Sequence, residues 1–482
     1  MTNELECLDI LSSLGVPDRV DEVTADWVER ALKQNAVIPD KVTIKCLHIQ
    51  QISNADENIT VDGGGVSGAA LVRLVLTYDG NSTDGLPTSM VCKFTKGTQK
   101  HYSFKVRAMY NMMFGDDADW AKREVDYFRK IAPSMLGADF HVPKAYFAGL
   151  VDDSRRSVAT RYLTNKPHNT RSIVLMEDLH DWDSHTLGKK MDKEKTIRCM
   201  QNIAVLHAKH WNKTSELESA GILLSNFETS WRPGRYSKIL SFLQRRKVAS
   251  PEIVRKKIDQ FLNSAWPDHP TTKLHVESVL PDWLTVTPHD DGKVAPMQDP
   301  LVREMLYVVA KRLPNYYQYV IKGLDAVGPQ TLIHGDFHEG NHMFGINENE
   351  GKVLVLDFQF TGLGIAVIDV LYFLNMSVAA KNYQEIEDIL KAYHNALLEH
   401  GVTDYSWDTF YREFEALLIS KILSGPIFMG YTPEKFIDLI KNLFGAEKGD
   451  FAEQFINSGV FCRTFLYMTC LYMAHKDTFM KV

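Results

Sequence analysis

The sequence predicts an α+β chain in two parts, a small antiparallel sheet lobe with one internal helix followed by a larger, mainly helical lobe. Three observations carry this. Between Val42 and Phe94 the runs KVTIKCLHIQQI, AALVRLVLTY and TSMVCKFT are β-rich and are split by Gly, Asn, Asp and Pro, the pattern of antiparallel strands. Beyond about Asp178, stretches such as DKEKTIRCMQNIAVLHAKHWN place apolar residues at helical spacing. Strands grouped first and helices grouped later make an α+β arrangement, with an N-lobe over 1–178 and a C-lobe over 179–482.

The elements follow in order. TADWVERALKQ reads as an amphipathic helix capped by Thr24. The three strands come next, and then a helix in DADWAKREVDYFRKIAPSM. HVPKAYFAGLV and RSIVLMEDL are two further strand candidates. The stretch from Trp266 to Pro300 is rich in proline and has little periodicity, so it reads as a long surface loop. VREMLYVVAKRLPNYYQYVIKG returns to helix, a strand–loop–strand follows, and four helical stretches close the chain. The apolar run VFCRTFLYMTCLYMAH carries Arg463 and reads as a buried helix.

Bulk properties narrow the function. The chain has 482 residues, 45% hydrophobic and 24% charged, enough to bury a core without disulfide staples. Its net charge of -7 argues against broad nucleic-acid binding, which needs a basic surface. The six cysteines form no C-x-x-C pair, as expected of reduced thiols in a cytoplasmic protein. The start MTNELECLDILSSLG lacks the features of a signal peptide, and no run approaches the ~18 uncharged apolar residues of a membrane helix, so no membrane insertion is expected.

The stretch TLIHGDFHEGNHMFG, residues 331–345, concentrates the chemistry. One reading is a metal-dependent hydrolase. On an extended strand, alternate residues face the same way, and His334, Asp336 and His338 would converge on zinc or a metal pair. A second is structural, with Asp336 and Asn341 shaping a turn. A third is phosphoryl transfer. Asp336 and Asn341 have the spacing of a kinase H-x-D-x-x-x-x-N loop, and the segment 353–362 brings Asp357 to the end of an apolar run, followed by Phe358. A carboxylate must orient the attacking hydroxyl, and hard oxygens must hold Mg²⁺ beside the phosphates. Asp336 suits the first task, Asn341 and Asp357 the second.

The third reading makes demands upstream. DGGGVSGAALVRLVL supplies a glycine-rich turn with Gly63, Gly64, Gly65, Ser67 and Gly68, whose backbone N–H groups can approach phosphate oxygens. Lys93 lies on an apolar strand, where an ammonium needs a partner, and Glu124 lies on the following helix. Such a pair would hold the amine toward the ATP phosphates. IVLMEDL reads as the strand into a hinge, with adenine held by the Glu177 carbonyl and the Leu179 N–H and Met176 lining the pocket.

At this point the chain resembles the aminoglycoside phosphotransferase and choline kinase-like superfamily, and within it the ecdysteroid kinase-like (CHK kinase-like) branch. HGDFHEGN, VLDFQ in place of DFG, LMEDL, AVLHAKHW and GLGIAVIDVLYFL carry the resemblance, which spans about residues 20–475. It implies a protein-kinase-like two-lobe fold with ATP bound between the lobes. It implies Asp336 as catalytic base, Asn341 and Asp357 as Mg²⁺ ligands, and Lys93 and Glu124 as the phosphate-orienting pair. It further implies that Asp369 braces the catalytic loop and that His334 and His207 support it. The branch often has tryptophan where His338 stands, and its glycine-rich turn usually holds fewer glycines.

The expected function is an ATP- and Mg²⁺-dependent kinase that phosphorylates a hydroxyl of a small molecule. No A-P-E segment or phosphorylatable activation loop marks a peptide substrate. A catalytically silent nucleotide- or ligand-binding protein on the same fold is the alternative, with the hydrolase behind it. The sequence gives no reading of the acceptor or of the oligomeric state.

Overall fold

The computed structural model describes residues 14–52, 69–79, 84–96, 117–151, 171–185, 191–222, 283–308, 329–377 and 382–414, apart from 18, 136 and 291, with scattered positions in 256–275 and 438–473. The chain divides into two compact units. The first comprises Met1–Gly137, His141–Asp183 and Gly345–Phe360, and the second Ala138–Phe140, Ser184–Phe344 and Thr361–Val482.

The first unit is built on five antiparallel strands: β1 (Thr43–Gln51), β2 (Ala69–Asp79), β3 (Ser89–Lys96), β4 (Ala145–Val151) and β5 (Arg171–Glu177). Their order across the sheet is β1-β2-β3-β5-β4. Alternation sorts the side chains onto two faces. Val72, Leu74 and Leu76 of β2, Met90, Cys92 and Phe94 of β3, and Ile173 and Leu175 of β5 share one core. Helix α1 (Ala25–Gln34) covers that core with Trp27, Val28, Ala31 and Leu32. Thr24 caps α1 by accepting from the Trp27 N–H at 3.2 Å, as the sequence predicts. The Trp27 indole donates to the Gly15 carbonyl at 2.7 Å, tying the incoming chain to the helix.

Odd-numbered β3 residues point the other way, so Lys93, opposite Val174 on β5, faces away from α1. Helix α2 (Asp117–Asp126) carries Glu124. It runs on through a single π turn, Tyr127–Ile131, and a last α turn, Ala132–Met135. The sequence reads this stretch as one plain helix. The π turn precedes Pro133, which has no amide hydrogen to continue the α pattern. The residues around Asp357 also belong to this unit, whereas the sequence assigns 353–362 to the helical lobe. Local bonds hold them there: the Val355 N–H donates to the His141 carbonyl at 3.0 Å and the Ile346 N–H to the Asp181 carbonyl at 3.0 Å.

The second unit is mainly helical. Helix α3 (Lys193–Lys209), capped by Asp192, packs along α5 (Tyr383–Glu399), capped by Asn382. Strands β6 (Gln330–Ile333) and β7 (Gly362–Ile365) pair antiparallel and are wholly buried, and the buried Thr331 hydroxyl donates to the His207 carbonyl at 2.7 Å. Helix α4 (Val367–Ser377) follows β7. The chain is helical from 300 to 308, and the remainder of the helix expected to Gly323 lies outside the described residues.

The expected surface loop from Trp266 to Pro300 needs correction at its end. Val294, Ala295, Pro296 and Met297 are buried, and so is Asp299. The Asp299 carboxylate accepts from the Thr285 N–H, the Thr285 hydroxyl and the Leu301 N–H, each at 2.8 Å. A proline-rich segment can enter a core when one carboxylate collects its loose donors.

Candidate active site

In the first unit, Lys93 holds two carboxylates. Its Nζ lies 2.6 Å from Glu124 Oε1 and 2.8 Å from Asp357 Oδ1. Burial alone would discharge this lysine, but Asp357 and Glu124 more than reverse that and raise its pKa. The ammonium stays charged between them, while burial raises the pKa of the Glu124 carboxyl. Glu124 is 1% exposed, and among the described residues its Oε2 has no hydrogen-bond partner. Asp357 is the more open member, with its side chain 24% exposed.

Local structure fixes Asp357. Its φ of +63° is left-handed, an uncommon conformation for a residue with a Cβ and one that concentrates at functional sites. The following aromatics are clamped to α2: Tyr127 stacks on Phe358, and Trp120 packs on Phe360 with ring centroids 4.8 Å apart. Met176 and Glu177, expected at a hinge, end β5, where the Glu177 N–H donates to the Lys144 carbonyl at 2.9 Å and its carboxylate accepts from the Lys144 N–H at 2.7 Å. Next to them, Asp178 takes Arg73 Nε at 2.6 Å, His180 Nε2 at 3.2 Å and the Ser89 hydroxyl. Leu179 follows as irregular backbone. Gly63, Gly64, Gly65, Ser67 and Gly68 lie outside the described residues.

In the second unit, the loop after β6 is organised from beneath by Asp369. Its carboxylate accepts from the His334 N–H at 2.6 Å and the Gly335 N–H at 2.9 Å. Gly335 has φ +83°, which lets the chain turn there. His207 Nε2 lies 3.1 Å from Asp369, and its Nδ1 lies 2.7 Å from the Tyr393 hydroxyl. With Nε2–H donating to the carboxylate, Nδ1 accepts from the tyrosine. His207 and Asp369 are fully buried, so they act as supports beneath the loop.

Above this base, the Asn341 amide donates to the Asp336 carbonyl at 2.9 Å and lies 3.5 Å from Asp336 Oδ2. With its amide nitrogen turned to Asp336, the Asn341 carbonyl oxygen is the end that could hold a cation. Asn341 thus fastens the turn, as the structural reading expects, while keeping a hard ligand in hand. Burial works against charge on Asp336, but His338, His334 and the Tyr372 hydroxyl outweigh it and hold its carboxyl below the ordinary value. That keeps it anionic at neutral pH, the form able to orient a hydroxyl.

The hydrolase reading finds no support here. His334 Nδ1 accepts from the Asp336 N–H at 3.2 Å, and His338 Nδ1 from the Gly340 N–H at 3.1 Å, so both rings fold back on their own loop. Among the described residues no group of three His, Cys, Asp or Glu side chains is arranged to hold a metal ion. Asp357 in the first unit and Asn341 in the second each carry a hard oxygen of the kind that could hold Mg²⁺.

Residues 295–402 match the ecdysteroid kinase-like family. The ecdysteroid kinase-like match spans the 331–345 loop, Asp357 and Asp369, and it agrees with the resemblance carried by HGDFHEGN and VLDFQ. A search of curated proteins found no match. Among solved structures, the apo macrolide 2'-phosphotransferase of Brachybacterium faecium aligns at 12% identity and a TM-score of 0.36, over 90% of this chain and 97% of that one. The GDP complex of an aminoglycoside 2'-phosphotransferase aligns at 13% identity and 0.37, over 92% and 99%. A microcompartment-associated aminopropanol kinase aligns at 11% and 0.34, over 90% and 95%. Among the described residues no helix is long and apolar enough to cross a membrane.

Sequence reasoning missed several members of the site. Tyr372 bonds Asp336, and its place one helical turn after Asp369 puts both on one face of α4, a signal present in IDVLYFL. Tyr393, which orients His207, and the Tyr127–Phe358 stack are partners distant in sequence and leave no local trace.

Proposed function

We propose that the chain is an ATP-dependent kinase that transfers the γ-phosphate to a hydroxyl of a small molecule. The observation that carries this reading is the buried Lys93 ammonium paired at once with Glu124 and Asp357. An ammonium held charged, a helix glutamate fixing it and a strained aspartate beside it are the parts a phosphoryl-transfer site needs. The Asp336–Asn341 loop and the family match over 295–402 support the same reading.

Lys93 binds and orients the phosphates through its remaining N–H, while Glu124 keeps it from swinging away. Asp357 and Asn341 each offer an oxygen to magnesium. When bound, Mg²⁺ supplies neutralisation of the phosphate charge. Asp336 accepts the hydrogen bond of the incoming hydroxyl and sets its line of approach. Positioning and electrostatics supply most of the acceleration, since little covalent chemistry falls to the protein.

The test is a phosphate-transfer screen with ATP labelled at the γ-phosphate, offered choline-like, sterol, aminoglycoside and nucleoside-like alcohols. Transfer to one class, lowered about 10²–10⁴-fold in Asp336→Ala with nucleotide binding intact, is the expected result. Full transfer by Asp336→Ala removes the catalytic assignment. Mg·ATP binding without transfer or slow hydrolysis favours a silent binding protein.

A further inference from the structure

We propose that His338 and Tyr372 are positioning residues for Asp336, which together fix how its carboxylate is presented to the acceptor hydroxyl. The inference rests on the kinase reading of Asp336 and goes beyond it by naming what holds the base.

His338 sits two residues after Asp336 and precedes the short 3-10 turn Glu339–Asn341. Its Nδ1 accepts the Gly340 N–H at 3.1 Å, so that nitrogen carries no hydrogen and the ring proton resides on Nε2. Nε2 faces Asp336 Oδ2 at 3.6 Å. The backbone of His338 is pinned as well. Its carbonyl accepts from the Asn341 N–H at 3.0 Å and from His342 Nδ1 at 2.7 Å. Burial lowers the His342 pKa to about 3, and the ring stands edge-on to Phe337 and Phe373. The imidazole of His338 is thus locked in one tautomer by its own loop, with its single donor turned to the carboxylate.

Tyr372 reaches the same carboxylate from α4, with its hydroxyl bonded to Asp336. Its ring stands 6.2 Å from the His338 ring at an interplanar angle of 61°. A donor from the loop and a donor from the helix therefore meet on one anion, while Asn341 crosses beneath. Both His338 and Asp336 keep side-chain exposure, 14% and 18%, so the carboxylate is braced without being sealed. A base held by two fixed donors keeps one orientation, which counts because acceptor alignment limits transfer.

The experiment uses the full chain and the variants His338→Leu, His338→Gln and Tyr372→Phe. Turnover of Mg·ATP, with the best acceptor from the screen or with water, KM for ATP and Tm are measured for each. His338→Leu and Tyr372→Phe are expected to lose about tenfold in kcat, with KM for ATP within about twofold. His338→Gln, which keeps an N–H donor, is expected to recover most of the loss. Unchanged kcat in both His338→Leu and Tyr372→Phe overturns the proposal, as does equal impairment of His338→Gln and His338→Leu. A wild-type chain without any turnover defeats the kinase reading instead. In that case ¹⁵N spectra of the histidine rings decide: a proton on His338 Nε2 that shifts in Asp336→Asn supports the bracing, and a proton on Nδ1 overturns it.

Discussion

Tyr127 lies flat on Phe358, with ring centroids 3.6 Å apart and planes 3° from parallel. This contact joins the helix that carries Glu124 to the residue that follows Asp357, so one stack aligns both partners of Lys93. Its absence should loosen the trio as well as the core. Phe358→Ala is expected to cost about 3–5 kcal/mol of stability, the usual range for a buried ring. It should also weaken nucleotide binding beyond what a remote core truncation of equal cost does. Among the described residues the Tyr127 hydroxyl is buried without a partner, so Tyr127→Phe should match or exceed the wild-type Tm. Thermal melts of the two variants, with and without Mg·ATP, check both statements.

Asp178 gives a pH-dependent prediction. Burial raises its pKa, but Arg73 and Ser89 overcome that, leaving the carboxyl below its ordinary value. A depressed folded pKa means stability that is present above the unfolded value near ~4 and is lost as pH falls through the folded one. Asp178→Asn should therefore lower stability by about 1–3 kcal/mol at pH 7, with a gap that closes as pH falls through the depressed folded pKa. Paired denaturation curves across that range are the check, and a gap constant with pH refutes the assignment.

Asp369 should behave as a structural carboxylate rather than a reacting one. Removing it leaves the His334 and Gly335 N–H groups and His207 Nε2 buried without their acceptor. Two unpaired amides alone cost about 2–6 kcal/mol. Asp369→Ala should thus fold poorly or melt far below wild type. Asp336→Ala, whose side chain is partly exposed, should melt close to it. Reversal of that order in thermal melts would exchange the roles of the two aspartates.

Much of this was legible in the sequence where the signal was local. Thr24 capping α1, the alternation of β2 and β3, and the spacing of Asp336 and Asn341 each depend on residues a few positions apart. Lys93 and Glu124 could be paired because an apolar strand must neutralise its lysine. What stayed hidden depends on contacts between distant segments. The burial of 294–299 follows from Asp299 gathering Thr285 and Leu301 donors, and the Arg73–Asp178 pair joins β2 to the residue after β5, far along the chain. Neither leaves a periodic pattern. The π turn at Tyr127 arises in a segment whose composition is simply helical.

Lys93 allows stability and function to be separated. Among the described residues, Lys93→Met leaves Glu124 as a buried carboxylate with neither oxygen paired, since its Oε2 already lacks a partner there. A buried pair broken on one side costs about 3–5 kcal/mol. Replacing Glu124 as well removes the stranded charge, and apolar residues of similar volume are tolerated in place of a buried ion pair. Lys93→Met with Glu124→Leu should therefore recover most of the stability lost in Lys93→Met alone. Nucleotide affinity should not return, because the phosphates still lack their ammonium. Tm and ATP titration on the two variants distinguish the outcomes. Recovery of ATP binding together with stability would mean that Lys93 serves the fold and not the nucleotide.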